Sequence, residues 1–247
     1  MSNQNKGGVS EAGGAAGQVG ASVAFNSEVA EHMDAPHFKY NFECVGPREE
    51  VRDRYVSMRT RVWGLEKASW LAKVWDWLRG GSIAKQISKL QAEMQTMLEP
   101  KWSESFDNVV CTGGKNDLLD KYFAGSAYTA AWYLGLISLV SFTAVAAADT
   151  MASHAGWTEA GATNAPAYSQ GTRVALAFSA AAAGSKSTSA ASVYSITSTG
   201  TVKGGFATTV NTKDGTTGIL YSAGLFTGGD KAVANGDTLN VTGTWSV

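Results

Sequence analysis

With 247 residues, 20 Lys and Arg against 21 Asp and Glu, and a formal net charge of −1, the chain carries no global field that would draw nucleic acid or an anionic membrane. Its length allows one or two domains and a sizeable core. Twenty-eight glycines beside four prolines point to turns, bulges and arms and away from polyproline linkers. The two cysteines, Cys44 and Cys111, are too few for a disulfide scaffold or a four-ligand zinc site.

Residues 1–37 read as an extended, glycine-rich N-terminal arm. MSNQNKGGVSEAGGAAGQVG has no hydrophobic period and too little apolar surface to offset its own ordering entropy, so it is expected to order against other chains. Val9, Val19, Val23 and Phe25 are its candidate assembly contacts. No secretory pattern opens the sequence, and a reducing cytoplasm is the expected place of synthesis. Phe38–Val45 then alternates at the strand period, with Phe38, Tyr40, Phe42 and Cys44 on one face and Gly46-Pro47 as its stop.

Pro47–Lys101 is a basic island, with eleven Lys and Arg against seven Asp and Glu between acid-excess flanks. It predicts an αα-hairpin inserted between two strands. The first helix spans Glu49–Arg79 with a bend near Gly64, and places Leu71, Val74, Trp75 and Leu78 on one stripe. Gly80-Gly81 ends it. Ser82 is the expected cap of the second helix, in which Ile83, Ile87, Leu90, Met94 and Leu98 recur until Pro100. Trp63, Trp70, Trp75 and Trp77, with Lys67, Lys73 and Arg79, suit either an interfacial amphipathic helix or contacts with a neighbouring subunit, where aromatics and Arg carry most binding energy. Protein packing is favoured, and contact with another chain within it.

A second strand is predicted over Trp102–Thr112. If it paired with the first from Gly46 and Trp102 outward, Cys44 would face about Ser105 and Cys111 would sit near Phe38, leaving both thiols free. Lys115–Phe123 predicts a short helix. Ser126–Ala148 lacks any charge and is long enough to cross a bilayer. Its aromatic and β-branched content, broken by Gly135, Ser138, Ser141 and Thr143, and the lack of a basic anchor predict instead a buried strand over Ala130–Ile137. From Asp149 onward the chain is strand and turn. Val193–Thr197, Thr201–Thr209, Gly218–Phe226 and Thr238–Val247 are the strands, and Asp214-Gly215 and Asn235-Gly236 are hairpin or bulge turns. An antiparallel β-sandwich-like module follows.

Catalytic chemistry is sparse. His32, His37 and Asp34 sit together in a loop and read as solvated polar residues. Ser153, His154 and Glu159 offer a nucleophile and a base in name, but neighbours in a loop rarely reach the needed geometry. No phosphate loop occurs. Asp214, Asp230, Asn235 and Asp237 carry oxygens that suit calcium, yet their Asn-Gly and Gly-Asp settings are those of turn formers. Asn240–Thr242 matches a glycosylation sequon by pattern alone. No cofactor, metal or enzymatic activity is expected.

Three segments, GGKNDLLDKYFAGSAYTAAWYLGLI (Gly113–Ile137), ADTMASHAGWTE (Ala148–Glu159) and TKDGTTGILYSAGLFTGGDKAVANGDTLNVT (Thr212–Thr242), resemble structural proteins of tailed-bacteriophage virions. The likeness runs from Trp102 to the end, about three fifths of the chain, and takes in the Phe38–Gly46 strand. Gly161–Arg173 departs from it, and Pro47–Lys101 looks like an insertion where such proteins have a short hairpin. The resemblance implies a particle component and transfers nothing catalytic. The expectation is therefore a mainly β, α+β protein with four parts. These are an arm over 1–37, a strand over 38–46 that belongs to the β module, a helical hairpin over 47–101, and the module proper over 102–247. The implied role is capsid decoration or head fibre, or else a neck, collar or tail component. The implied partners are the major capsid protein or other virion proteins and sister copies, with no specific nucleic acid; a membrane-associated phage protein using Ser126–Ala148 and the tryptophan-rich helix is the remaining alternative.

Overall fold

The computed structural model describes residues 36–78, 80–125 and 131–246. It is a mixed α+β fold with two antiparallel sheets packed in a sandwich-like arrangement. The first strand, β1 (His37–Pro47), shows why: its burial alternates residue by residue, with Phe38, Tyr40, Phe42 and Cys44 inside. A period of two places one full row of side chains on one face. That row meets Leu134, Leu136, Val202 and Ala207 of the opposing sheet in one apolar cluster.

After β1 come α1 (Arg52–Glu66), α2 (Trp70–Leu78) and α3 (Ser82–Gln95), so the insertion holds three helices rather than two. The break lies at Lys67–Ser69, not at Gly64. Gly64 sits inside α1 with open space around it, and the Ser69 hydroxyl accepts the Ala72 amide at 3.3 Å to start α2. Gly80 and Gly81 close α2 with φ of +101° and +67°. Ser82 does not cap α3. It is the first helical residue, and the Asp76 carboxylate caps instead, accepting from the Ser82 amide at 3.1 Å, the Ser82 hydroxyl at 2.6 Å and the Ile83 amide at 2.8 Å. α3 stops at Gln95, well short of Pro100. Leu98 and Pro100 belong to β2 (Leu98–Asp107), an edge strand of its sheet where a missing amide costs no ladder bond.

The ladder between β1 and β2 starts at Pro47 opposite Leu98, so Cys44 faces Trp102 and not Ser105. The expected single strand to Thr112 is two. β3 (Val109–Val110) leaves for the second sheet and carries Cys111 into a different cluster, with Ile137, Met151, Trp157 and Phe206. Both thiols are buried and free. Burial pushes the Cys44 thiol up to about 12 and the Cys111 thiol up to about 11. α4 (Thr112–Phe123) begins three residues earlier than its apolar pattern suggests.

β4 (Tyr133–Ser138) is the buried strand expected in the long uncharged run, starting three residues later. No helix among the described residues is long and apolar enough to cross a membrane. The remaining strands are β5 (Thr158–Ala160), β6 (Val174–Ala175), β7 (Ser185–Ser187), β8 (Ser192–Ser195), β9 (Gly200–Thr208), β10 (Leu220–Leu225), β11 (Lys231–Val233) and β12 (Thr238–Ser246). One sheet runs β2-β1-β12-β7, with β8 also on β12. The other runs β3-β10-β9-β4-β5, with β11 on β9 and β6 on β4. Gly135 faces Phe206 across the β4–β9 ladder. A Cβ there would collide with the Phe206 ring, so the glycine provides the floor on which that aromatic lies.

Candidate assembly surfaces

One buried carboxylate is the ion-pairing centre at the base of the hairpin. Asp237, fully buried before β12, accepts Arg52 at 3.1 Å and Lys101 at 3.1 Å. Its second oxygen takes the Ala234 amide at 2.8 Å, closing the turn ahead of β12. Arg52 also reaches the Asn235 carbonyl at 2.9 Å, and Arg59 the Ile196 carbonyl at 3.2 Å. Gly46 makes room: a Cβ there would run into the Asp237 carboxylate. Between α1 and α3 a small core of Tyr55, Met58, Val62, Met94 and Met97 holds the base of the hairpin together.

The tip is built differently. α2 buries none of its side chains, although its sequence is WLAKVWDWL. Trp70 is 70 % exposed, Trp75 60 % and Trp77 75 %, and Trp63 on α1 is 62 % exposed. All four sequence-predicted tryptophans are therefore largely exposed at the surface. The stripe of Leu71, Val74, Trp75 and Leu78 is exposed as well. An apolar face this continuous on a folded surface marks an interaction site. Val9, Val19, Val23 and Phe25 of the arm lie outside the described residues, as do His32 and Asp34.

A second apolar surface had no signal in the sequence. At the end of the sandwich, α4 and the strand ends around it enclose an open cavity of about 540 Å³ lined by Trp132, Phe178, Tyr221 and Trp245, with Tyr122 at its mouth. The rings pair edge to face, Trp132 with Tyr221 at 5.1 Å and Phe178 with Trp245 at 4.3 Å between centroids. Asp117 and Lys121, paired at 3.3 Å, and Lys186, 5.8 Å from the Phe178 ring, supply its polar rim. These residues come from five separate stretches of chain, so only the fold brings them together.

The polar groups singled out in the sequence do other work. His154 stacks on Trp157 at 4.0 Å, with Nδ1 2.9 Å from the Trp157 carbonyl oxygen. The Ser153 backbone closes a turn with Thr150. Glu159 is buried against Arg173, which donates from Nε at 2.9 Å and Nη2 at 2.7 Å. The structure thus does not join Ser153, His154 and Glu159 as a triad. The four calcium candidates are likewise spent separately. Asp214 accepts the Thr163 amide at 3.0 Å, Asp230 pairs with Lys203 at 2.7 Å, Asp237 holds the hairpin, and Asn235 gives its carbonyl to Arg52. Among the described residues no three His, Cys, Asp or Glu side chains converge in a metal-binding arrangement. His37 opens β1 on its exposed face, and Asn240 lies within β12. Neither the protein-family models nor the curated proteins give a match to this chain.

Proposed function

We propose that this chain is a structural component of a tailed-bacteriophage virion, of the capsid-decoration or head-fibre kind, which works by occupying interfaces and not by catalysis. The observation that carries the reading is α2, a tryptophan-rich helix held away from the core on a base that is ion-paired to the sandwich. A free-standing globular enzyme gains nothing from such a face, whereas a particle subunit needs one. The phage-like segments support the same reading. Gly113–Ile137, Ala148–Glu159 and Thr212–Thr242 supply α4, β4, the Met151 and Trp157 packing, and β10 to β12, which together make the body of the module. In this arrangement the arm and the hairpin attach the chain to the capsid lattice or to sister copies, and the sandwich projects. High copy number makes weak individual contacts lasting through multivalency.

The test is particle incorporation. Removing Met1–Gly20 is expected to leave the β module folded, by circular dichroism and thermal melting, while the truncated protein disappears from purified virions. Normal incorporation of the truncated chain would remove the anchoring role of the arm. Quantifying copies against the major capsid protein by mass spectrometry fixes the location. A stoichiometry commensurate with the capsid lattice supports decoration, and a handful per particle moves the protein to the neck or tail.

A further inference from the structure

We infer that the tip of the hairpin docks on an anionic lipid bilayer, with α2 lying flat in the surface and its tryptophans among the headgroups. This goes beyond the proposed function: the arm and the base of the hairpin keep the attachment to the particle, and the tip gains a lipid partner. The orientation of α2 carries the inference. At about 100° per residue, Trp70, Leu71, Val74, Trp75, Trp77 and Leu78 fill an arc of about 160°, and Ala72, Lys73 and Asp76 lie opposite. That polar side is the one turned towards the rest of the hairpin. Lys73 Nζ donates to the Glu66 carbonyl at 2.7 Å, and the Asp76 carboxylate accepts the Ser82 and Ile83 amides that open α3. A helix on a globular core turns its apolar stripe inward. α2 does the reverse, and its six apolar residues named above are between 40 % and 75 % exposed.

Charge selects the occupant. The whole chain has a net charge of −1, yet residues 61–90 hold six Lys and Arg against two acids, Glu66 and Asp76, a local balance of +4. Arg61 near the end of α1, Lys67 before α2, and Lys85 and Lys89 on α3 are exposed. None of these four pairs with a carboxylate among the described residues. Asp76, the one acid of α2, is spent on the α3 cap. A basic rim around exposed tryptophans and leucines suits anionic headgroups with acyl chains beneath them, because Trp rings and Lys stems bury an apolar body and keep a polar end wet. A second copy is the poorer occupant, since tip on tip would bring two positive rims together. The nine residues of α2 rise about 13 Å at 1.5 Å each, far less than a hydrocarbon core of about 30 Å. The helix therefore lies on the bilayer and does not span it.

The experiment floats the purified full-length protein with vesicles of equal parts phosphatidylglycerol and phosphatidylcholine, and with vesicles of phosphatidylcholine alone. The wild type should float with the anionic vesicles, bind the neutral ones far less, and be released by high salt. Two variants are altered only at exposed positions, and near-ultraviolet circular dichroism checks that both fold. Trp70→Ser with Trp77→Ser should weaken binding by more than about tenfold, since it removes two interfacial rings. Lys67→Gln with Lys85→Gln and Lys89→Gln should weaken it on anionic vesicles only, by about fivefold per lysine. A wild type that stays in the aqueous fraction overturns the inference. Equal binding to neutral vesicles, or full binding by the tryptophan variant, does the same. Sedimentation velocity supplies the other occupant: self-association of the lipid-free wild type that the tryptophan variant abolishes would give the face to a second copy and overturn the lipid assignment. Particle incorporation is scored separately. The tryptophan variant should enter virions as the wild type does, and its loss from them would return the tip to the lattice and refute only the lipid contact. Vesicle binding by a protein absent from virions refutes only the virion role.

Discussion

At the scale of single residues, the buried charges among the described residues, Glu159, Arg173 and Asp237, each have a named partner. Arg173 and Glu159 form a two-point pair inside the sandwich. The remaining hydrogen-bonding capacity of that pair goes to the Val210 carbonyl at 2.8 Å, the Gly215 carbonyl at 3.3 Å and the Asp214 amide at 2.8 Å. One ion pair thus pins the turn at Asp214 to β5. Arg173→Met leaves a buried carboxylate uncompensated, and urea denaturation at neutral pH should show a loss of about 3–5 kcal/mol. Glu104 makes a pH-dependent contribution. The Gly228 amide, the Lys231 ammonium and the Thr227 hydroxyl hold its carboxyl below the ordinary glutamate range. Its stabilisation is therefore complete above the unfolded-state value of about 4.3 and fades as pH falls through the lower folded-state value. Glu104→Gln should be less stable than wild type at pH 7 by urea denaturation. The gap should narrow towards pH 3, and a gap independent of pH would exclude this role.

At the scale of elements, the hairpin and the sandwich have separate apolar cores, and Asp237 with the Asn235 and Ile196 carbonyls receives the arginines of α1. The hairpin core of Tyr55, Met58, Val62, Met94 and Met97 shares no residue with the sandwich core around Phe42 and Leu136. Pro47 and Leu98 already face each other across the β1–β2 ladder. Replacing residues 48–97 with an Asn-Gly turn, which suits a two-residue hairpin, should leave a sandwich with a cooperative thermal transition. A chain that fails to fold would show that the hairpin is part of the main core. The same division explains what could be read from sequence. The alternation of β1, the helix-ending Gly80-Gly81 pair and the strand inside the long uncharged run were legible because each is a local pattern. The cap supplied by Asp76, the split of the expected Trp102–Thr112 strand and the β1–β2 register were not. Asp76 reaches its amides across two glycines, and the strand divides because β3 pairs with β10, whose residues lie more than a hundred positions away. Of the candidate site, the tryptophans could be named in advance but their exposure could not. An apolar helical stripe looks the same whether it packs inside the chain or outside it. The groove gave no warning at all.

At the scale of the whole molecule, contact surfaces and core are segregated. The base of the hairpin meets the sandwich just before β12, and the aromatic groove lies at the other end of that strand. Substitutions at the tip should therefore change association without changing the folded body, and substitutions in the body should do the reverse. A chain of this design can have its surface contacts altered without refolding its centre.

β1 and β12 are the first and last strands of the described chain, and they lie side by side from His37 opposite Ser246 to Val45 opposite Thr238. The row of Phe38, Tyr40 and Phe42 therefore gains β12 as a neighbour only through a pairing that spans almost the whole described chain, and long-range pairings of this kind close slowly. Chains that lack β12 would expose that aromatic row to one another.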